Sequence, residues 1–135
     1  MMLIENKIIQ TTEDGFLKEL IEISSQYNAL KVDIDGAEIQ TWKDFIRSIE
    51  KSFQFPTTCE DSMDRYLDWI RDLSWLENEA FIILVKNSKE FFVNNSKLRD
   101  EILNDLEEVV LPFWESEVEE VVVDGKSKLF RVYLI

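Results

Sequence analysis

The chain has 135 residues, 45% hydrophobic and 12% aromatic, which is material for one core, and its 3 Gly and 2 Pro argue against a disordered or turn-rich all-β chain. Lys plus Arg total 15 against 28 Asp plus Glu, a net charge of −13 that repels nucleic acid and anionic lipid and attracts basic proteins. No histidine is present, which excludes Ser-His-Asp and Cys-His catalysis and His metal sites, and the single cysteine, Cys59, cannot form an internal disulfide.

Leu3 to Ile9 reads as a short strand. Thr12 is placed to cap a helix from about Glu13 to Ser25, with Phe16, Leu17, Leu20, Ile21 and Ile23 as its apolar side. Leu30 to Ile34 is a second strand, ended by a turn at Asp35-Gly36. Thr41 starts the next helix, with Asp44 three residues on as a capping-box partner, and Trp42, Phe45, Ile46, Ile49 and Phe53 repeat at helical spacing up to Pro56. A further helix is expected from Ser62 to Leu73. Ala80 to Val85 is wholly apolar, as a strand buried on both faces requires. Ser88 to Asn95 suggests a short helix. Ser96 then caps a longer one from Lys97 to about Trp114, with Leu98, Ile102, Leu103, Leu106, Val109 and Val110 inward and Pro112 set to kink or end it. Val118 to Val123 and Leu129 to Leu134 flank Asp124-Gly125 and read as a hairpin. Strands alternating with helices predict an α/β domain with a mostly parallel sheet.

The helix after Pro56 carries the most specific pattern. A helix turns by about 100° per residue. With Asp64 at zero, Asp68 falls at about 40°, Asp61 at about 60° and Asp72 at about 80°, one quadrant of the wheel. Met63, Tyr66, Leu67, Ile70 and Leu73 take the opposite side, and Trp69 sits at the border. The apolar stripe is ordinary core packing. The aspartates are not, since like charges at i,i+4 cost about 0.2–0.5 kcal/mol a pair and Asp disfavours helix interiors. Arg65 and Arg71 flank the cluster, so a self-balanced solvated surface is one reading. A row of carboxylates that meets cations evolved to grip phosphate is the other. Carboxylates on one straight helix fan outward, which argues against a Mg²⁺ or Ca²⁺ centre. A second acidic stretch, Asp100 to Glu120, holds nine Asp and Glu and reads equally as a solvated helix face. Cys59 reads as an incidental loop thiol, because Glu60 and Asp61 disfavour its thiolate.

The segment Phe55 to Leu76, F-P-T-T-C-E-D-S-M-D-R-Y-L-D-W-I-R-D-L-S-W-L, resembles the barstar-like family. The match lies in Pro56, in Asp64 and Asp68 four apart, and in the D-L-S-W-L ending from Asp72 to Leu76. It runs from about Leu30 to Ile135 and leaves 1–29 as an N-terminal extension, an extra strand and helix packed on the same domain. The resemblance implies a three-layer fold without enzymatic activity. It implies an intracellular immunity protein that occludes the active site of a secreted, barnase-like ribonuclease toxin. Asp68 and then Asp64 would be the main contacts, with Asp61, Asp72, Trp69, Glu60 and Thr58 around them. Departures lie in the loop, where Thr58, Cys59 and Glu60 replace an aromatic-then-glycine pattern, Ser62 replaces an asparagine, and Leu67 stands where barstar has tryptophan. These favour an alternative, a barstar-fold interaction module for another basic partner or for a toxin of different activity. The expected protein is a monomer without cofactor or metal. It is expected in the cytoplasm, as no apolar run spans a membrane and Met1 to Ile4 lack the features of a signal peptide.

Overall fold

The computed structural model describes residues 5–135, so the start of the expected first strand, Leu3 and Ile4, lies outside the described residues. Among the described residues four strands are formed: β1 (Ile8–Gln10), β2 (Ala29–Asp35), β3 (Ala80–Lys86) and β4 (Leu129–Leu134). They make one sheet in the order β1-β4-β3-β2, and every neighbouring pair is parallel, with Ile8 opposite Val132, Ile83 opposite Val132 and Val32 opposite Ile83. The helices are α1 (Glu13–Gln26), α2 (Trp42–Phe53), α3 (Met63–Ile70) and α4 (Ser96–Asp105). Helix α4 runs on through two π-helical turns, Leu106–Val110 and Phe113–Glu117, into a final turn, α5 (Val118–Val121).

The layers follow from the connections. β1 and β2 are the two edges, so α1 crosses one whole face between them, burying Phe16 and Ile23 against Ala80, Ile82, Leu84, Leu129 and Tyr133. From β2 the chain returns through β3 to β4 in the opposite direction, with its helices on the opposite face. Reversing both direction and face keeps one hand of crossover. On that face Phe45, Ile49 and Phe53 of α2, Tyr66 and Ile70 of α3, and Ile102, Leu106 and Val110 of the long helix close over Val32, Ile34, Phe81, Ile83, Phe130 and Val132. Every residue from Ala80 to Val85 is at most 2% exposed, as the apolar run predicts for a strand covered on both sides.

Helix starts follow the sequence closely. Thr12 Oγ1 accepts from Gly15 N at 3.1 Å, and Thr41 and Asp44 form the full capping box. The turn after β2 is a 3₁₀ turn, Gly36–Glu38, with Asp35 accepting from Ala37 N at 3.0 Å. Gly36 is required there, since a Cβ would stand 2.4 Å from the Asn87 carbonyl oxygen.

Several expectations are corrected. The C-terminal hairpin does not form. Val118 to Val121 continue the long helix, because Val118 is drawn into the core at 3% exposure. Asp124-Gly125 does turn, with Asp124 at φ 59, but it follows the end of that helix instead of joining two strands. β4 already has parallel neighbours on both sides and no edge left for an antiparallel partner. Pro112 does not break the helix. The wide turns on either side displace the carbonyl its ring would strike, and Leu111 N donates to Leu106 O, five residues back. Asn95, not Ser96, is the cap of α4, accepting from Leu98 N at 3.2 Å. Ser88 to Asn95 hold only the 3₁₀ turn Ser88–Glu90. On α1, Leu17 and Ile21 face solvent, at 44% and 72% exposure, because α1 meets the sheet only along the Phe16–Ile23 side.

Phe53 sits at the centre of the larger core, stacked on Phe130 at 6.1 Å and packed beside Phe81 at 6.0 Å. Phe53→Ala is expected to cost about 3–5 kcal/mol, read as a lowered midpoint in chemical unfolding. Thr41→Ala is expected to cost about 1 kcal/mol by the same measurement. Asp44 is held below its ordinary value of 3.8, first by the Gln40 N–H and then by Thr41. Its contribution is therefore complete at neutral pH and fades as the pH falls below 3.8 and through the depressed folded value. Asp44→Asn should destabilise at neutral pH and much less in acid; equal losses at both would remove the carboxylate from this account.

Candidate functional site

Helix α3 is built from its cap inward. Ser62 Oγ accepts from Arg65 N at 3.1 Å. Tyr66 and Ile70 turn to the core at 1% and 0% exposure, and the Tyr66 ring meets Trp42 and Phe45 edge-on at 5.6 and 5.7 Å. Met63 and Leu67 fill in beside them. That orientation leaves Asp64 and Asp68 facing solvent.

The helix is shorter than the sequence implies. It stops at Ile70, so Asp61 and Asp72 flank it in the adjoining turns, and the four-aspartate quadrant of one straight helix becomes two helical carboxylates between two loop carboxylates. The reason lies at its end. Trp114 Nε1 donates to Ile70 O at 2.9 Å, and Leu73 takes a left-handed conformation, φ 51, which turns the chain away. A left-handed leucine is strained, and its 1% exposure shows what holds it there: the side chain is buried in the core. Asp72 Oδ1 accepts from Ser74 N at 3.2 Å and so secures this exit turn.

The four carboxylates differ in what they meet. Asp61 pairs with Arg65 at 2.9 Å, and Asp68 pairs with Arg71 at 3.5 Å. Arg71 also donates from Nε to Leu67 O at 3.0 Å. Asp64 makes no ion pair among the described residues. Pairs this exposed, with Asp61 and Asp68 at 78% and 76%, are worth roughly 0–1 kcal/mol and exchange readily for other partners.

The loop before α3 is held at nearly every residue. Trp69 Nε1 donates to Thr57 Oγ1 at 2.9 Å, and its ring meets Trp75 edge-on at 5.5 Å. The indole is therefore half-buried and ties loop to helix while staying beside the acidic side. Thr58 donates its hydroxyl to Glu50 at 3.0 Å and its carbonyl accepts from Arg65 at 3.0 Å. Cys59 N also donates to Glu50, and Cys59 O accepts from Trp42 Nε1 at 3.2 Å. Glu60 pairs with Arg47 at 2.8 Å, and this bond is the main cause holding its carboxyl below its ordinary value. Cys59 lies in the loop with its thiolate disfavoured, as read, but its side chain joins the core at 0% exposure, and it is burial, followed by the nearby Glu50 charge, that pushes its thiol up to about 11. Trp42, Arg47 and Glu50 of α2 shape this loop; the sequence marked Trp42 only as part of the apolar repeat and did not single out Arg47 or Glu50, because the contacts bridge eight to seventeen residues and leave no local pattern.

The second acidic stretch lies along the long helix. Its member Asp105 turns partly inward, and burial, then Glu101 and Glu108, raise its carboxyl. It lies near Tyr66, whose hydroxyl is buried without a partner among the described residues and whose phenol is raised, first by that burial and then by Asp105. Among the described residues no three Asp, Glu or Cys converge as metal ligands would, and no helix is long and apolar enough to cross a membrane. A groove of about 340 Å³ begins at Arg71 and Asp72 and runs past Trp114 to Val122 and Lys126.

Compared with known proteins, residues 29–125 match the family model described as Barstar (barnase inhibitor). No curated protein and no solved structure matches the chain. The matched span runs from β2 through α3 and β3 to the end of the long helix, and it contains the acidic face, the pinned loop and both of the aspartates carried by α3. The family is one of inhibitors that bind a ribonuclease, not of enzymes, and the chain belongs to this barstar family.

Proposed function

We propose that the protein inhibits a barnase-like ribonuclease toxin by occlusion, laying the outer side of α3 and the loop before it into the enzyme's basic active site. The observation that carries this is the placement of Asp64 and Asp68 together on the solvent side of a helix whose other side is locked into the core, in a chain of the barnase-inhibitor family. Asp68 and Asp64 are the main contacts. Asp61 and Asp72 add charge at the two ends, and Thr58, Glu60 and Trp69 form the loop-side border. Carboxylates here stand in for RNA phosphates against cations evolved to bind them, and the net charge of −13 draws a basic enzyme in. The role fits an immunity protein of the cytoplasm that guards its own cell from a secreted toxin. It needs no metal, cofactor or bond-making step.

A second reading has its own support. The loop offers a buried cysteine and small polar side chains where the resemblance expects aromatic anchors. The same face would then serve another basic partner, a toxin of different activity included.

Titration of barnase activity with the purified protein is expected to show stoichiometric inhibition. Asp64→Ala and Asp68→Ala should each weaken binding roughly ten- to hundred-fold, the worth of one hydrogen bond to a charged group. The association rate should fall steeply with salt, as the screening length shrinks from about 10 Å at 0.1 M to about 3 Å at 1 M. No inhibition by the wild-type protein, with retention of a different basic protein on the immobilised chain that Asp68→Ala abolishes, would replace the first reading with the second.

A further inference from the structure

Glu50 lies on α2, outside the acidic face, yet one of its carboxylate oxygens receives two donors from the loop. Oε1 accepts the Thr58 hydroxyl at 3.0 Å and the Cys59 backbone N–H. The opposite side of the same peptide is held by α3, where Arg65 donates to Thr58 O at 3.0 Å and, with the same nitrogen, pairs with Asp61 at 2.9 Å. Trp42 closes the next link by donating to Cys59 O at 3.2 Å. The loop thus has no free choice of path between Thr57 and Ser62. A consequence reaches the binding face. Arg65 neighbours Asp64 in sequence, but its guanidinium is committed to the loop and to Asp61, which leaves the Asp64 carboxylate without an internal counter-ion among the described residues. Charge at Glu50 is not what this arrangement uses. An acceptor at the Oε1 position is enough for both donors, since both go to one oxygen.

We infer that Glu50 is the positioning residue of the acidic face: through Thr58 and Cys59 it fixes the loop in its binding conformation before any partner arrives. The inference rests on the reading of that face as a ribonuclease-binding surface. A loop already ordered has no ordering cost on association, and releasing it reduces affinity without removing any contact. Because the effect belongs to the acceptor and not to the charge, Glu50→Gln, which removes one negative charge from the protein, retains the function, whereas Glu50→Ala loses it.

The test compares wild type, Glu50→Gln, Glu50→Ala and Asp64→Ala by hydrogen exchange of the free proteins and by binding kinetics with barnase. Glu50→Ala is expected to speed exchange of the Cys59 amide at least ten-fold and to weaken barnase binding about ten-fold, mainly through slower association. Glu50→Gln is expected to stay within about two-fold of wild type in both. Thr58→Val, which removes the hydroxyl that donates to Glu50 and accepts from Glu60 N but leaves the Cys59 N–H bond to Glu50, provides the same comparison should Glu50→Ala fail to fold, with a smaller loss in the same direction. Equal weakening by Gln and Ala would show a role in charge alone and overturn the inference. So would a Cys59 amide freed in Glu50→Ala with unchanged barnase kinetics. Wild-type affinity in Asp64→Ala overturns the reading of the face instead. If barnase does not bind at all that reading fails too, and the exchange comparison alone decides whether Glu50 fixes the loop.

Discussion

Strand β4 is the last strand in sequence and lies in the middle of the sheet, hydrogen-bonded to β1 on one side and β3 on the other. Much of the remaining architecture depends on that insertion. It makes β1 an edge, sends α1 across one face, and leaves the other face to α2, α3 and the long helix. With three helices sharing one side of a four-stranded sheet, α3 and the long helix come close enough for Trp114 to bond the last carbonyl of α3. Phe130 of β4 in turn supports Phe53 and Phe81 beneath α2. The acidic face is therefore carried by a helix only eight residues long, whose stability comes from packing and its two ends, since so short a helix is marginal by itself.

Electrostatically the face is less uniform than its composition. Two of its carboxylates have arginines beside them, one serves a turn, and one makes no ion pair among the described residues. This graded arrangement reconciles two needs. Four neighbouring like charges would strain the fold, and exposed internal pairs relieve that at little cost in availability, because they are weak and solvent-screened. Glu60 repeats the device through Arg47 on the loop side.

How much of this was legible in the sequence depended on the range of the interaction. Local chemistry was readable: the Thr12 and Thr41 caps, the apolar β3 run and the stripe of α3 all came through, because each is decided within one or two turns. The errors arose where distant contacts overrode local preference. Val121, Val122 and Val123 have strand-forming side chains, yet Val118 behind them is claimed by the core and the chain winds as helix as far as Val121, with Val122 extended as its cap before the Asp124-Gly125 turn. Pro112 has strong helix-breaking chemistry, which two widened turns absorb. The wheel over Asp61 to Asp72 assumed a helix that Leu73 and Trp114 cut short. Of the site, the two central aspartates were visible as a spacing, and the resemblance gave them a meaning. The α2 residues that hold the loop were not visible, since a hydrogen bond from Thr58 to Glu50 leaves no periodic trace.

The central position of β4 also has a consequence in time. Ile8 pairs with Val132, and Asn6 bonds Phe130 across a sequence separation of 124 residues. During synthesis β1 is made well before its neighbour in the sheet, and it has no strand to pair with until β4 has left the ribosome. Until then the apolar sides of α1 and β3 lack the strand that joins them, the kind of exposure that slows parallel sheets and invites chaperone binding. Among the described residues the sheet is completed by β4, and it stays open on the β1 side until that strand emerges.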